Sequence, residues 1–163
     1  MDDSASGLAE FEKALAYAHR SLGRREQTVA EIRGKLERRE FSSATVEAVL
    51  AELCDTGLLN DARFARRFAT DKRDLDQWGT GRIVADLERR GVGREEIDAV
   101  AGESGRSEEL ETALLLLERR MPAPRDDRAR DRAWRLLVRR GYEPELAYEA
   151  VRRHGRSGAP GAA

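Results

Sequence analysis

Residues 58–92 read LLNDARFARRFATDKRDLDQWGTGRIVADLERRGV. Phe64 and Phe68 stand four apart in this stretch, as do Ile83 and Leu87, and each pair marks one face of a helix. Between them residues 74–81, rich in Asp and Gly, predict a turn. The closing phrase Leu87-x-Arg-Arg-Gly-Val92 returns on both sides, as Leu36-x-Arg-Arg-Glu-Phe41 and as Leu137-x-Arg-Arg-Gly-Tyr142, with the leucines 51 and 50 residues apart. Five residues beyond each closing apolar residue stand Val46, Ile97 and Ala147; eight beyond stand Val49, Val100 and Ala150. One helical unit therefore recurs, and the sequence predicts an all-α fold: three tandem three-helix repeats forming an elongated, curved rod in which stacked units share their cores.

Outward from the centre, residues 8–57 make the first repeat. Leu8, Phe11, Leu15, Ala18 and Leu22 line one helix face, and a basic turn at residues 23–25 follows. Thr28 with Glu31 three residues later is a capping box ahead of Val29, Ile32 and Leu36. Ser42 caps a third helix carrying Val46, Val49, Leu50 and Leu53, with Phe41 and Val46 placed as a hydrophobic staple and Gly57 as its stop. The second repeat, residues 58–102, opens with Asn60 or Asp61 as cap, and Gly93 starts its last helix. The third, residues 107–154, opens with a Ser107 cap, passes Pro122 and Pro124, and starts its last helix at Pro144. Residues 1–7 and 155–163 read as disordered ends.

The chain has 163 residues, 37% charged and 6% aromatic, with a mean hydropathy of -0.68, which suits a thin helical array better than one thick core. Arginine outnumbers lysine 27 to 3. A net charge of -1 argues against a simple polyanion binder, yet residues 1–60 carry 8 basic and 11 acidic groups, residues 61–118 carry 10 and 14, and residues 119–163 carry 12 and 6. The last third is the basic end. No apolar run approaches the ~20 residues of a membrane span, and the N-terminal residues lack a signal peptide's basic and apolar regions, so a cytoplasmic protein is expected.

No catalytic constellation is apparent, and neither an enzyme, a cofactor nor a metal is expected. His19 and His154 stand at opposite ends of the chain and no His-x-x-x-His pair exists. Cys54, the one cysteine, reads as a buried structural thiol beside Leu50 and Leu53. Gly79-Thr80-Gly81 follows a helix where a phosphate-binding fingerprint needs a strand, so it reads as a simple bend. The Arg-Arg pairs admit two readings: cations at the negative ends of helix dipoles, or a ladder of phosphate contacts. Trp78 and Trp134 read as packing residues.

The phrase Thr-x-x-Glu-Ile-x-x-Lys-Leu at 28–36, Gly57-Leu-Leu-Asn-Asp-Ala-Arg-Phe-Ala65, and Gly79-Thr-Gly-Arg-Ile83 leading to Arg-Arg-Gly-Val92 together resemble the RecX family, bacterial regulators of the RecA recombinase. The resemblance spans about residues 8–153. It implies a protein that binds the RecA–DNA filament along its groove and suppresses strand exchange, ATP hydrolysis and filament growth, meeting single- and double-stranded DNA through the filament or weakly alone; nothing in the sequence demands more than a monomer. On this resemblance Arg63, Arg66, Arg67, Arg73, Arg82, Arg89, Arg90, Arg139 and Arg140 are the expected filament and DNA contacts. Two positions depart from the pattern: Asn60-Asp61 replaces two acidic residues, and Glu40 stands where the other repeats have glycine, which is expected to alter that turn. Two rival readings stay open, a stand-alone helix-turn-helix DNA-binding module read through its basic third repeat, and a helical scaffold for another protein.

Overall fold

The computed structural model describes the backbone of residues 2–157 and the side chains of residues 6–157. Among these residues the chain forms nine α-helices and no strand: α1 (Asp2–Leu22), α2 (Val29–Glu37), α3 (Ser43–Asp55), α4 (Asp61–Asp74), α5 (Thr80–Arg89), α6 (Arg94–Glu103), α7 (Arg106–Arg120), α8 (Asp127–Arg139) and α9 (Pro144–Ser157). The expected disordered ends need correction. Residues 2–7 open α1, because small polar residues do not break a helix already nucleated downstream, and residues 155–157 close α9. Met1 and residues 158–163 lie outside the described residues.

The helices pack as two compact units, one built from the residues up to Arg66 with Leu87–Glu96, the other from Arg67–Asp86 with the residues from Ile97 onward. The packing units and the sequence period divide the chain differently, since the residues of the central repeat are shared between the two. In the first unit, Ala14 and Ala18 let α1 approach α2 and α3 closely over Ile32, Leu36, Val46, Val49, Leu50, Leu53 and Leu59, all buried. In the second, Leu110, Leu116 and Leu117 of α7 meet Leu137 of α8 and Leu146, Ala150 and Val151 of α9. Each such aliphatic side chain stabilises by ~1.5–3 kcal/mol through its burial.

Local chemistry fixes where the helices start. The Thr28 hydroxyl accepts the Glu31 N–H at 3.1 Å and the Glu31 carboxylate accepts the Thr28 N–H at 3.1 Å, the predicted capping box. Ser42 accepts from the Thr45 N–H, and Glu10 of α1 accepts from the Ser42 N–H at 2.9 Å and hydroxyl at 2.7 Å, tying α1 to the start of α3. These bonds hold the Glu10 carboxyl below its ordinary range, Ser42 contributing most. At α4 the two candidates divide the work: Asn60 accepts from the Arg63 N–H at 2.8 Å, whereas Asp61 reaches across to the Val29 N–H at 2.9 Å. Ser107 is not a cap. Helix α7 begins one residue earlier, with Gly105 at the cap position and no side-chain bond there.

Two junctions recur. In the first unit the start of α2 receives the turn after α5: the Thr28 hydroxyl donates to the Arg90 carbonyl at 2.7 Å, and Asp61 caps Val29. In the second unit the start of α5 receives the turn after α8. Gly79 and Gly81 donate N–H bonds of 2.8 and 3.0 Å to the Arg140 and Gly141 carbonyls, while Glu109 accepts the Thr80 N–H at 2.7 Å. Thr28 and Gly79, and Val29 and Thr80, stand 51 residues apart, so equivalent positions do equivalent work. The Gly79-Thr80-Gly81 phrase is thus a docking surface for backbone, more than the bend expected of it.

The turn glycines answer both to this docking and to their own backbone. Gly91 and Gly141 have φ of 75° and 89°, and a Cβ on either would overlap Ala30 or the Arg82 backbone respectively. Glu40, their counterpart in the first repeat, takes the same left-handed form with φ 60°, so the expected change of turn is absent. It is exposed. Near the second junction Tyr142 is buried and its hydroxyl donates to the Gln77 carbonyl at 2.9 Å. Burial foremost, with Glu109 adding, pushes the phenol above the ordinary tyrosine range.

Two outcomes are expected. Gly91→Ala and Gly141→Ala each lose more than about 2 kcal/mol in urea unfolding, the left-handed backbone accounting for ~1–2 and the overlap for the rest, whereas Glu40→Gly gains ~0.5–1. A folded-state pKa raised above the unfolded one contributes stability that is present below about pH 10 and lost as pH rises through the folded value. Tyr142→Phe is therefore less stable by about 1 kcal/mol at neutral pH, and the gap to the parent narrows above about pH 10.

Candidate functional site

The arginines separate into those that hold the fold and those that face outward. Adjacent residues at a helix end point in different directions, so the members of an Arg-Arg pair meet different surroundings. The second members are engaged. The Arg39 guanidinium lies 4.5 Å over the Tyr17 ring, Arg90 pairs with Glu31 at 3.1 Å, and Arg140 donates to the Asp76 carbonyl. The first members, Arg38, Arg89 and Arg139, are exposed.

The remaining candidates follow the same division. In the first unit Arg63 and Arg66 are exposed on α4, Arg66 donating a long 3.4 Å bond from Nε to the Ala62 carbonyl. Phe64 beside them is buried, with the Arg90 guanidinium 5.9 Å from its ring. In the second unit Arg67 is exposed, but Arg73 is half-buried and donates to the Val100 carbonyl at 3.0 Å, which ties the end of α4 to α6. Arg82 is exposed and stacks 3.9 Å over Trp78; the Lys72 ammonium sits 4.7 Å from the same ring and Phe68 meets it edge-on at 6.3 Å. Such cation–ring contacts are worth ~0.5–1 kcal/mol at exposed sites and preorient the cation. Trp134 donates from Nε1 to the Pro144 carbonyl at 3.1 Å and packs against the core of its unit.

Cys54 needs correction. It is exposed, because the buried stripe of α3 runs through Val46, Val49, Leu50 and Leu53 and leaves residue 54 on the flank. Its thiol is pushed up, first by partial desolvation and then by Asp61 and Asp55, which is the opposite of an activated nucleophile. His154 is buried with Nε2 3.2 Å from the Met121 carbonyl. Among the described residues no group of three His, Cys, Asp or Glu side chains is placed to hold a metal, and no helix is long and apolar enough to cross a membrane.

Sequence reading missed the engagement of Arg73, Arg90 and Arg140, because their partners lie 27, 59 and 64 residues away in sequence. Neutralising the two kinds of arginine separates them: Arg140→Gln lowers the melting temperature by ~4–8 °C, as for the loss of about 1 kcal/mol in a small unit, while Arg139→Gln leaves it unchanged in calorimetry.

Comparison with known proteins adds a second line. The sequence matches the family model for the RecX first three-helix domain over residues 14–53 and that for the RecX second three-helix domain over residues 60–100. It is 41% identical over 146 residues to a regulatory protein RecX of Deinococcus radiodurans, covering 86% of this chain and 68% of that one. With a regulatory protein RecX of Thermobifida fusca it shares 32% identity over 145 residues, 87% of this chain and 78% of the other. The fold is similar to the crystal structure of RecX from Lactobacillus salivarius, with a TM-score of 0.81 at 15% identity over 90% of this chain and 97% of that one. A second crystal structure of a regulatory protein RecX gives a TM-score of 0.78 at 22% identity, over 93% and 75% of the two chains.

Proposed function

The chain belongs to the RecX family of regulatory proteins, and from that premise we propose that it binds the RecA–DNA filament in its helical groove and inhibits recombinase, ATPase and filament-extension activity. In a cell this modulates DNA repair and the SOS response from the cytoplasm. The protein works by binding, as a monomer, with the three repeats at residues 8–57, 58–102 and 107–154 as its domains and no cofactor.

The observation that carries this reading is the pair Arg63 and Arg66 on α4, exposed within a stretch that matches the second RecX domain while neighbouring Phe64 and Ala65 are buried. Their side chains reach solvent with no carboxylate partner among the described residues, so they are available to carboxylates of a protein filament and to DNA phosphates. Arg67, Arg82, Arg89 and Arg139, also exposed, extend the contact set. Arg73, Arg90 and Arg140 support it from within. A net charge of -1 fits a partner that presents both signs of charge better than naked nucleic acid alone.

A second reading, a stand-alone DNA-binding module, draws on the basic residues 119–163 and on a cleft of about 700 Å³ in the second unit lined by Trp134, Tyr148, Arg152 and Arg156 among others. One assay separates the two. DNA-dependent ATP hydrolysis by the host recombinase falls when this protein is added at substoichiometric amounts. Arg63→Glu with Arg66→Glu raises the amount needed by about tenfold, the scale of losing two exposed charge contacts at ~0.5–1 kcal/mol each, with an unchanged melt. Full ATP hydrolysis at excess protein, with steeply salt-dependent binding to bare duplex, defeats the filament reading in favour of the second.

A further inference from the structure

The first unit contains a cleft of about 510 Å³ whose walls are Arg20, Arg24, Arg25, Lys35 and Arg39, with Tyr17 and Ser21 between them. Arg20 sits in the last turn of α1, Arg24 and Arg25 in the turn that follows, Lys35 on α2 and Arg39 in the turn after α2, so two helix ends bring their cations to one hollow. No carboxylate lines it among the described residues. The chain as a whole carries 30 basic and 31 acidic residues, and many of its cations elsewhere, such as Arg33, Lys72, Arg106 and Arg153, sit within 4.0 Å of a carboxylate.

Four of the five cations here make no ion pair among the described residues, and two of those four are oriented by uncharged groups. The Lys35 ammonium donates to the Ser21 hydroxyl at 2.7 Å and to the Gln27 amide oxygen, both uncharged. The Arg39 guanidinium stacks on Tyr17, which leaves the in-plane N–H donors of its fork for an anion. Arg20 and Arg24 make no ion pair among the described residues, and Arg25 alone has a carboxylate partner, Glu31 at 3.4 Å. Complementing helix dipoles accounts for a cation at each helix C-terminus, at ~0.3–1 kcal/mol each, but not for five converging on one cleft. Mutual repulsion of these like charges, of which Arg25 alone is paired, costs stability unless something anionic enters. The acidic balance of residues 1–60, 8 basic groups against 11, conceals the cleft at the level of sequence.

We infer that this cleft is a binding site for closely spaced phosphate groups, those of a nucleic-acid strand or of a nucleoside triphosphate. Several guanidinium forks and an ammonium match the geometry and charge of consecutive phosphates, and the Tyr17 ring beside them offers a face for a base. The site lies in the first unit, shares no residue with the proposed filament contacts, and needs no recombinase.

The test uses the full chain alone. Binding of a fluorescently labelled oligothymidine strand is followed by anisotropy over a salt series, with sodium tripolyphosphate and ATP as separate competitors. The triple variant R20E/R24E/R39E weakens strand binding by about tenfold or more at low salt and lowers the log–log salt slope by about 2, as expected for three lost contacts at ~0.7 each. A control of equal charge change, R119E/R128E/R132E, reverses three exposed arginines of the second unit and leaves both quantities as in the parent. Circular dichroism melts check folding, and R20Q/R24Q/R39Q repeats the test if the reversal unfolds the unit. Loss confined to ATP and tripolyphosphate assigns the cleft to a small polyphosphate, and loss of the strand assigns it to nucleic acid. Equal loss in the control, or no loss of any of the three ligands in either cleft variant, overturns the inference.

Discussion

Everything in this structure leans on how the starting ends of two helices are satisfied. A helix N-terminus leaves four N–H groups without intrahelical partners. At α2 the Thr28–Glu31 capping box takes part of this demand, and Asp61, from the first helix of the next repeat, takes Val29. At α5 the carboxylate comes from Glu109, again in the first helix of the following repeat, and takes Thr80. The other partner is in each case the turn that closes the next repeat's second helix, met through the Thr28 hydroxyl in one junction and through backbone N–H groups in the other. A negative carboxylate at a positive helix end is favourable on electrostatic grounds as well as for hydrogen bonding.

This docking explains the residue choices around it. A turn docked this closely has no room for a side chain: in the first unit a Cβ on Gly91 would meet the Ala30 side chain, and in the second Gly141 faces Gly79 and Gly81 across backbone bonds of 2.8–3.0 Å. A Cβ on Gly79 would lie 2.5 Å from the Gly141 carbonyl carbon. The corresponding position in the first repeat, Glu40, is exposed and bears the cost of its own left-handed backbone. The same docking engages the arginines of the turns. Arg90 and Arg140 reach back to Glu31 and Asp76, and their charge serves the junction before any ligand.

Net charge conveys little about such a protein. The chain is close to neutral and its first sixty residues are acidic on balance, yet the first unit gathers five cations around one cleft. Carboxylates have been drawn off to caps and pairs: Glu10 to Ser42, Glu31 to Thr28 and Arg90, Glu47 to Arg33, Asp61 to Val29. Among the described residues Arg20, Arg24, Arg63 and Arg139 remain exposed with no ion pair. A binding protein needs that separation, because an arginine already holding a carboxylate has its charge and fork occupied.

The sequence by itself determined the helical class, the recurrence of the Leu-x-Arg-Arg phrase and most of the caps, since apolar periodicity and capping chemistry act within four residues of one another. Thr28, Ser42 and Pro144 stand at helix starts for that local reason. Ser107 showed the limit: a hydroxyl ahead of two glutamates is a cap only if the helix has not already begun, and α7 begins at Arg106. Cys54 showed it again, since one residue's step around a helix turns a side chain by about 100° and carries it from the core to solvent. Tertiary structure alone decided which arginines are spent on the fold, what the Gly79-Thr80-Gly81 phrase is for, and that cations from two helix ends meet in one cleft. Those facts depend on contacts between residues up to 65 apart in sequence, and no local pattern encodes the distance between them.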